Sequence, residues 1–155
     1  MPTTPTKYKL YTDGATSNNG RDGSVGGWAW AMYEDRTGYT YFNSGHVEPA
    51  TNNQCELMAA IEACNFADKH AYAPAAIYSD SSYLINCYKE KWYKRWQKNG
   101  WHTTSKRPVA NQDLWERLIP YFENPLYTFE KVAGHAGIEE NEFVDRLAVA
   151  AKEKN

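Results

Sequence analysis

The chain contains near its start the stretch Lys7-Tyr8-Lys9-Leu10-Tyr11-Thr12-Asp13-Gly14. Its side chains alternate in character, and β-branched or aromatic residues dominate, which is typical of a β-strand. We expect this strand to end at Asp13-Gly14. A carboxylate at the carboxyl end of a strand in an α/β sheet points into the crevice where ligands bind. The alternative is a plain Asp-Gly turn, which is the more common use of this dipeptide. The functional interpretation therefore requires further acids at the same place.

Length and composition are those of an ordinary one-domain protein. The chain has 155 residues, of which 42% are hydrophobic and 23% charged, enough for a core without disulfides or metal staples. The sequence lacks a membrane-spanning run and a signal peptide's apolar segment, so we expect a flexible tail over residues 1–6 and a cytoplasmic location. The three cysteines, Cys55, Cys64 and Cys87, have no metal-ligand spacing and indicate a reducing compartment.

Charge is distributed unevenly along the chain. The net charge of −2 gives no general affinity for nucleic acid, so any such function needs a local basic patch. The stretch 89–107 supplies a candidate, because it holds seven basic residues, one acid and three tryptophans.

The hydrophobic pattern predicts a mixture of strands and helices in the order β-β-β-α-β-α-α-α-β-α. A polar, glycine-rich loop is expected over 15–23, and a hairpin turn over 35–38. This order indicates an α/β or α+β domain with a mixed sheet. After the first strand, the predicted strands are 26–33, 39–44, 75–80 and 126–132, and the better-defined helices are 51–67, 81–88, 111–122 and 139–152.

The first predicted helix begins with a capping box, in which Thr51 is the N-cap and Gln54 follows three residues later. Glu56 lies at the edge of the apolar face, an unusual place for an acid unless the protein uses it. That face is formed by Leu57, Ala60, Ile61, Cys64 and Ala67.

Two more acids stand at notable positions. Asp80 ends the buried strand 75–80, and Asp145 interrupts an apolar stretch of the last helix. If Asp13, Glu56, Asp80 and Asp145 share one crevice, their charges repel unless a cation neutralises them. Oxygen-only ligands favour Mg²⁺ or Mn²⁺ over zinc. Two such ions about 3.5–4 Å apart stabilise the attacking and leaving oxygens in phosphoryl transfer. Taken singly, each acid is equally consistent with a surface or capping role.

Four motifs in these positions resemble type 1 ribonuclease H. The resemblance runs from Tyr8 to Ala151 and implies a five-stranded mixed sheet flanked by helices, in one ribonuclease H-like α/β domain over 7–152. It implies endonucleolytic hydrolysis of the RNA strand of RNA/DNA hybrids, leaving 5′-phosphate and 3′-hydroxyl ends. The motifs are Thr12-Asp13-Gly14, Thr51-Asn52-Asn53-x-x-Glu56-Leu57-Met58-Ala59-Ala60, Asp80-Ser81-x-Tyr83 and Gly134-His135-Ala136-Gly137 with Asn141-Glu142 and Asp145.

The resemblance also implies roles for the acids. Asp13, Glu56, Asp80 and Asp145 match the family's metal-binding catalytic carboxylates, which hold two Mg²⁺ ions with substrate, Mn²⁺ being a possible substitute. Glu56 matches a contact to the RNA 2′-hydroxyl as well. His135 matches a histidine on a mobile turn that assists proton transfer or product release.

Substrate contacts implied by the resemblance fall into three groups. Minor-groove contacts near the RNA 2′-hydroxyl match Gly14, Asn19, Asn52 and Asn53. The pocket for a DNA phosphate matches Thr51 and Asn111, and Ser82 matches a base contact. The basic protrusion of the family, called the handle, corresponds to 89–107. Its lysines and arginine meet DNA phosphates, whereas its tryptophans either stack or serve the core; the handle residues are Trp92, Lys94, Arg95, Trp96, Lys98 and Trp101.

Two departures from the family pattern bear on substrate discrimination. Ser82 stands where many bacterial members have glutamine, and Pro49 stands near where many have an arginine beside the phosphate pocket. We expect looser strand discrimination with the chemistry retained.

Three rival interpretations remain open at this point: a nuclease of the same fold with another substrate, such as a transposase or resolvase domain, a non-catalytic hybrid-binding module, and the ribonuclease H portion of a reverse transcriptase. The Asn-Asn and Gly-His-Ala-Gly features disfavour the first, and the four acids disfavour the second. Met1 and an end just after the last helix favour a stand-alone protein. We expect a monomer, with the hybrid duplex as partner and no membrane association.

Overall fold

The computed structural model describes residues 8–34, 38–132 and 139–153. The predicted tail over 1–6, most of the hairpin turn over 35–38 and the Gly-His-Ala-Gly turn at 134–137 lie outside the described residues.

The order of elements is the predicted one. The sheet order is β3-β2-β1-β4-β5, with antiparallel pairing of β1 to β2 and of β2 to β3, and parallel pairing of β4 to both β1 and β5. This confirms the five-stranded mixed sheet of an α/β domain. The elements are β1 (Tyr8–Ser17), β2 (Val25–Glu34), β3 (Gly38–Val47), α1 (Asn52–Lys69), β4 (Ala75–Ser79), α2 (Ser82–Glu90), α3 (Trp92–Asn99), α4 (Gln112–Phe122), β5 (Tyr127–Lys131) and α5 (Glu139–Lys152).

The core has one layer on each face of the sheet. Leu10 of β1 is fully buried in the cluster that includes Leu57 of α1. Its neighbour Tyr11 belongs to the opposite cluster, with Val144 and Ala148 of α5. Because successive strand side chains point to opposite faces, these contacts place α1 and α5 on opposite sides of the sheet.

The first strand is longer than predicted. β1 continues through Asp13-Gly14 to Ser17, where it still pairs with Val25 of β2, so the prediction that the strand ends at Asp13-Gly14 is wrong. The predicted loop over 15–23 correspondingly begins only after Ser17. The physical reason is that the antiparallel ladder with β2 continues, whereas the parallel ladder with β4 ends at Tyr11.

The predicted capping box and apolar face of α1 are confirmed. Thr51 accepts a hydrogen bond from the Gln54 amide at 3.1 Å, and the Gln54 side chain accepts one from the Thr51 amide at 3.3 Å. Ile119 of α4 and Leu147 of α5 are only half-buried because each lies at the margin of its helix's buried arc.

Two general features bear on the protein's surroundings. No helix among residues 8–34, 38–132 and 139–153 is long and apolar enough to cross a membrane. Cys55, Cys64 and Cys87 are buried free thiols.

Candidate active site

Three of the four predicted acids converge on one point. Asp13 of β1, Glu56 of α1 and Asp80, which follows β4, bring one carboxylate oxygen each within 4.8 Å of one another. Asp145 of α5 lines the same open pocket of about 380 Å³. Acids from four separate segments of the chain therefore share one crevice. The other lining residues are Gly14, Asn52, Asn53, Ser81, Ser82 and Tyr83.

The parallel pair β1 and β4 explains why Asp13 and Asp80 are neighbours. The last paired residues are Tyr11 and Tyr78, and each acid follows its own tyrosine by two residues. The Thr12 hydroxyl donates to the Tyr78 carbonyl at 2.9 Å, which holds strands β1 and β4 together where their ladder ends. Asp13 thus lies at the carboxyl edge of the parallel strands, although β1 itself continues.

Gly14 allows α1 to approach this edge. A Cβ at Gly14 would stand 2.7 Å from Cys55 Cβ and 2.8 Å from the Glu56 backbone nitrogen, closer than real Cβ atoms come. The Gly14 amide also donates to Asp13 Oδ1 at 2.9 Å. The absence of a side chain at Gly14 therefore lets the first turn of α1 place Glu56 beside Asp13.

Burial and mutual repulsion disfavour negative charge on the clustered acids. Burial raises the pKa of Asp13 to about 7, and the charge of Asp80 adds to the rise, while hydrogen bonds with Glu56 and Gly14 oppose it. The pKa of Glu56 is raised well above its usual value, chiefly by burial and then by the charges of Asp13 and Asp80. Both shifts mean that negative charge is costly here until a cation compensates it.

The donor set fits a hard divalent cation. Glu56 Oε2 is buried and has no hydrogen-bond partner among the described residues, which is unusual for a carboxylate oxygen. The acids offer oxygen donors only, as Mg²⁺ and Mn²⁺ prefer. Asp13, Glu56 and Asp80 are placed to hold such an ion, and Asp145 lines the same space.

A second pocket, of about 480 Å³, adjoins the first. Asn52 and Asn53 line both pockets, so they join the acid cluster to this second space. Asn19 Oδ1 accepts a hydrogen bond from the Asn52 amide at 2.9 Å, which ties the 18–24 connection to the start of α1. The remaining lining residues are Gly20, Thr51, Ala110 and Asn111. The predicted phosphate-pocket residues thus lie together.

Tyr83 connects the two pockets, a role that the sequence did not indicate. Tyr83 lines the acid pocket, and its hydroxyl accepts hydrogen bonds from Trp115 Nε1 at 3.3 Å and from Asn111 Nδ2 at 3.5 Å. The only signal in the sequence was its place in the Asp80-Ser81-x-Tyr83 motif.

The handle segment 89–107 contains the short helix α3, which follows α2 after a sharp turn. Lys91 has a positive φ of 55° and separates α2 from α3. Trp92 and Trp96 share a face of α3, with ring centroids 6.3 Å apart, and Trp96 lies 5.7 Å from Trp115. The handle tryptophans are half-buried against the core, whereas the residue fully buried there is Tyr93, which the sequence did not single out.

The basic side chains of the handle differ in their partners. Lys94 forms an ion pair with Glu123 at 3.2 Å, so part of its charge is already compensated. Arg95 and Lys98 are exposed on α3. Trp101 lies apart from the acids, in a shallow pocket with Gln97, Glu116, Ile119 and Pro120.

The remaining predicted site residues are placed as follows. Ser82 lines the acid pocket at the start of α2. Pro49 borders a neighbouring groove that also contains Arg21 and Thr51. His135 lies outside the described residues.

Comparison with known proteins gives consistent matches over nearly the whole chain. The family model described as RNase H matches residues 5–153. A ribonuclease H of Thermoanaerobacter sp. (strain X514) is 42% identical over 147 residues, covering 95% of this chain and 90% of that protein. A ribonuclease HI of Synechocystis sp. is 40% identical over 157 residues, covering 100% of this chain and 93% of that protein. Among solved structures, LC9-RNase H1, a type 1 RNase H with the type 2 active-site motif, superimposes with a TM-score of 0.76 at 26% identity, covering 98% of this chain and 74% of that one.

Proposed function

This chain belongs to the RNase H family, and we propose that it is an endoribonuclease that hydrolyses the RNA strand of RNA/DNA hybrids, leaving 5′-phosphate and 3′-hydroxyl ends. The observation that carries the proposal is the gathering of Asp13, Glu56, Asp80 and Asp145 in one pocket at the carboxyl edge of the parallel strands. Four gathered carboxylates, the raised pKa values of Asp13 and Glu56 and an unsatisfied buried oxygen suit cation-assisted phosphodiester hydrolysis better than proton transfer alone.

The proposed cofactor is Mg²⁺, two ions being held with substrate and Mn²⁺ serving as a substitute. When bound, such ions would supply Lewis acidity to the attacking water and to the leaving 3′-oxygen. Asp13, Glu56, Asp80 and Asp145 would hold them through carboxylate oxygens. The raised pKa values of Asp13 and Glu56 support this assignment, because the negative charge that an ion stabilises is otherwise disfavoured there.

Discrimination of RNA from DNA is proposed to occur beside the acids. The 2′-hydroxyl separates the two strands of a hybrid and can both donate and accept a hydrogen bond. Asn52 and Asn53 line the acid pocket with amide groups that match this dual character. Gly14 lets backbone approach a sugar closely, and Glu56 adds an acceptor.

The DNA strand is proposed to bind along the second pocket and the handle. The second pocket is lined by the amides and hydroxyl of Asn19, Thr51 and Asn111, and its described lining holds no acidic residue, which suits a phosphate. Phosphates further along would meet Arg95 and Lys98, with the exposed edges of Trp92, Trp96 and Trp101 beside them. We assign Ser82 to the RNA side, and His135 to proton transfer or product release.

We further propose that residues 7–152 form the catalytic domain and that the protein acts as a monomer in the cytoplasm. The three buried free thiols support a reducing compartment. The acids come from four segments of one chain, so the site needs no residue from a second copy.

The test is incubation with end-labelled RNA/DNA, RNA/RNA and DNA/DNA duplexes of one sequence, with Mg²⁺ or with EDTA. We expect internal cleavage of the RNA strand of the hybrid alone, and none in EDTA. Cleavage of all three duplexes, or undiminished cleavage in EDTA, would contradict the proposal.

A further inference from the structure

A lysine outside the family motifs stands at the rim of the acid pocket. Lys131 is the last residue of β5. It pairs in parallel register with Ser79, which directly precedes Asp80. The Val132 amide donates to the Ser79 carbonyl at 2.9 Å and keeps the two strand ends level. Lys131 therefore lies at the same edge of the sheet as the acids.

The Lys131 side chain reaches the pocket through Ser82. Residues alternate along β5, so Lys131 shares the face of buried Phe129, against which α2 packs, whereas Glu130 points to the other face. Lys131 Nζ donates a hydrogen bond to Ser82 Oγ, and Ser82 lines the acid pocket. The ammonium is thus held next to the space in which the acids meet.

The positive charge of the Lys131 ammonium remains available to a ligand in the pocket. Its partner Ser82 is a neutral hydroxyl, so the hydrogen bond fixes the position of Lys131 without cancelling its charge. An ammonium has three N–H donors, and among the described residues Ser82 accepts from one of them. The described side chains that line the pocket include four acids and no basic residue, so Lys131 supplies positive charge where the lining itself has none.

We propose that Lys131, positioned by Ser82, binds a backbone phosphate of the cleaved RNA strand next to the scissile bond. The inference rests on the proposed function, since the acids define which strand lies in this pocket. Two N–H groups of Lys131 and the Ser82 hydroxyl face a phosphodiester oxygen as charge-assisted and neutral donors. The hydroxyl and the ammonium bind the phosphate and not a base edge, so this contact is independent of base sequence.

The test compares Lys131→Gln with the parent protein on a hybrid that the parent cleaves. We expect KM to rise about fivefold while kcat changes less than about twofold, and the log–log salt slope of binding, measured in EDTA, to fall by about one unit. Lys131→Arg retains the charge and should restore both values. Ser82→Ala should raise KM in the same direction but by less, because the ammonium loses its anchor and keeps its charge.

Lys69→Gln is the matched control. Lys69 is exposed at the far end of α1, about 20 Å along the helix from Glu56 in the pocket. If Lys131→Gln gives the KM and salt slope of Lys69→Gln while the parent cleaves hybrid normally, the inference is wrong and the proposed function stands. A lower Tm with an unchanged salt slope would assign Lys131 a structural role and overturn the inference equally. If the parent itself does not cleave hybrid, the proposed function fails and this inference fails with it.

Discussion

Gly14 and Glu56 are in such close contact that a Cβ on Gly14 would stand 2.8 Å from the Glu56 backbone nitrogen. This contact sets the distance between β1 and the first turn of α1, and so the distance between Asp13 and Glu56. The geometry of the acid cluster thus depends on a residue that carries no functional group.

Replacing Gly14 with alanine should therefore disturb both stability and activity. The methyl group meets backbone and the Cys55 Cβ, neither of which is a flexible side-chain end, so we expect a loss of about 1–3 kcal/mol in the free energy of unfolding. Urea denaturation and hybrid cleavage at saturating Mg²⁺ measure the two effects. A Gly14→Ala variant with parental stability and turnover would show that the contact relaxes freely.

Asp13→Asn tests the acid cluster with little change of shape. We expect cleavage to fall by more than about 10²-fold, the scale of a lost transition-state electrostatic contact, while the fold persists. Asp68→Asn, an exposed acid near the other end of α1, is the matched control and should cleave normally. Near-normal turnover of folded Asp13→Asn would remove Asp13 from the catalytic machinery.

The raised pKa of Asp13 predicts an unusual pH dependence of stability without metal. Because its pKa is about 7 when folded and near 3.8 when unfolded, the folded state binds more protons between those values. The contribution of Asp13 to the free energy of unfolding is therefore fully present below about pH 4 and is lost as the pH rises towards 7. In EDTA, Asp13→Asn should gain stability over the parent as the pH increases across this window.

Thermal melts of both proteins in EDTA and in Mg²⁺ measure this difference. Mg²⁺ should reduce the advantage of Asp13→Asn, since the ion compensates the parental carboxylates and its binding strengthens as they deprotonate. A pH-independent difference between the two Tm values in EDTA would contradict the assigned shift.

The Lys94–Glu123 ion pair reduces the positive charge that the handle can offer to phosphates. Neutralising Lys94, Arg95 and Lys98 together should raise KM far more than it lowers kcat, because all three lie away from the acids. The salt slope should fall by about two units rather than three, with Arg95 and Lys98 responsible for most of the change. Stepwise variants, with Lys69→Gln as control, separate the contributions. An unchanged salt slope would show that α3 does not bind phosphates.

Much of the fold could be predicted because local patterns and tertiary structure agree. The capping box at Thr51 and the acid Asp80 directly after β4 are local signals, and both occur in the structure. The end of β1 could not be predicted, because Asp13-Gly14 is equally compatible with a turn and with a strand whose ladder continues on one side only.

Other parts of the site depend on contacts between distant residues. Lys131 reaches Ser82 only through the register of β5 against β4, and the Tyr83 hydroxyl meets Asn111 only through the packing of α2 against the start of α4. The break at Lys91 uses a positive φ at a residue that is not glycine, so nothing in the local sequence marks it.

The most direct test of the central claim uses one duplex in which a short block of ribonucleotides interrupts an otherwise DNA strand paired to DNA. Both sugars and both strands are then present in the same molecule, and the ends formed by cleavage can be mapped. With Mg²⁺ we predict cuts only at the ribonucleotide block, with 5′-phosphate and 3′-hydroxyl ends, and none from Asp13→Asn. Cuts in the deoxyribonucleotide segments, or 5′-hydroxyl and cyclic-phosphate ends formed by attack of the 2′-hydroxyl, would contradict the account.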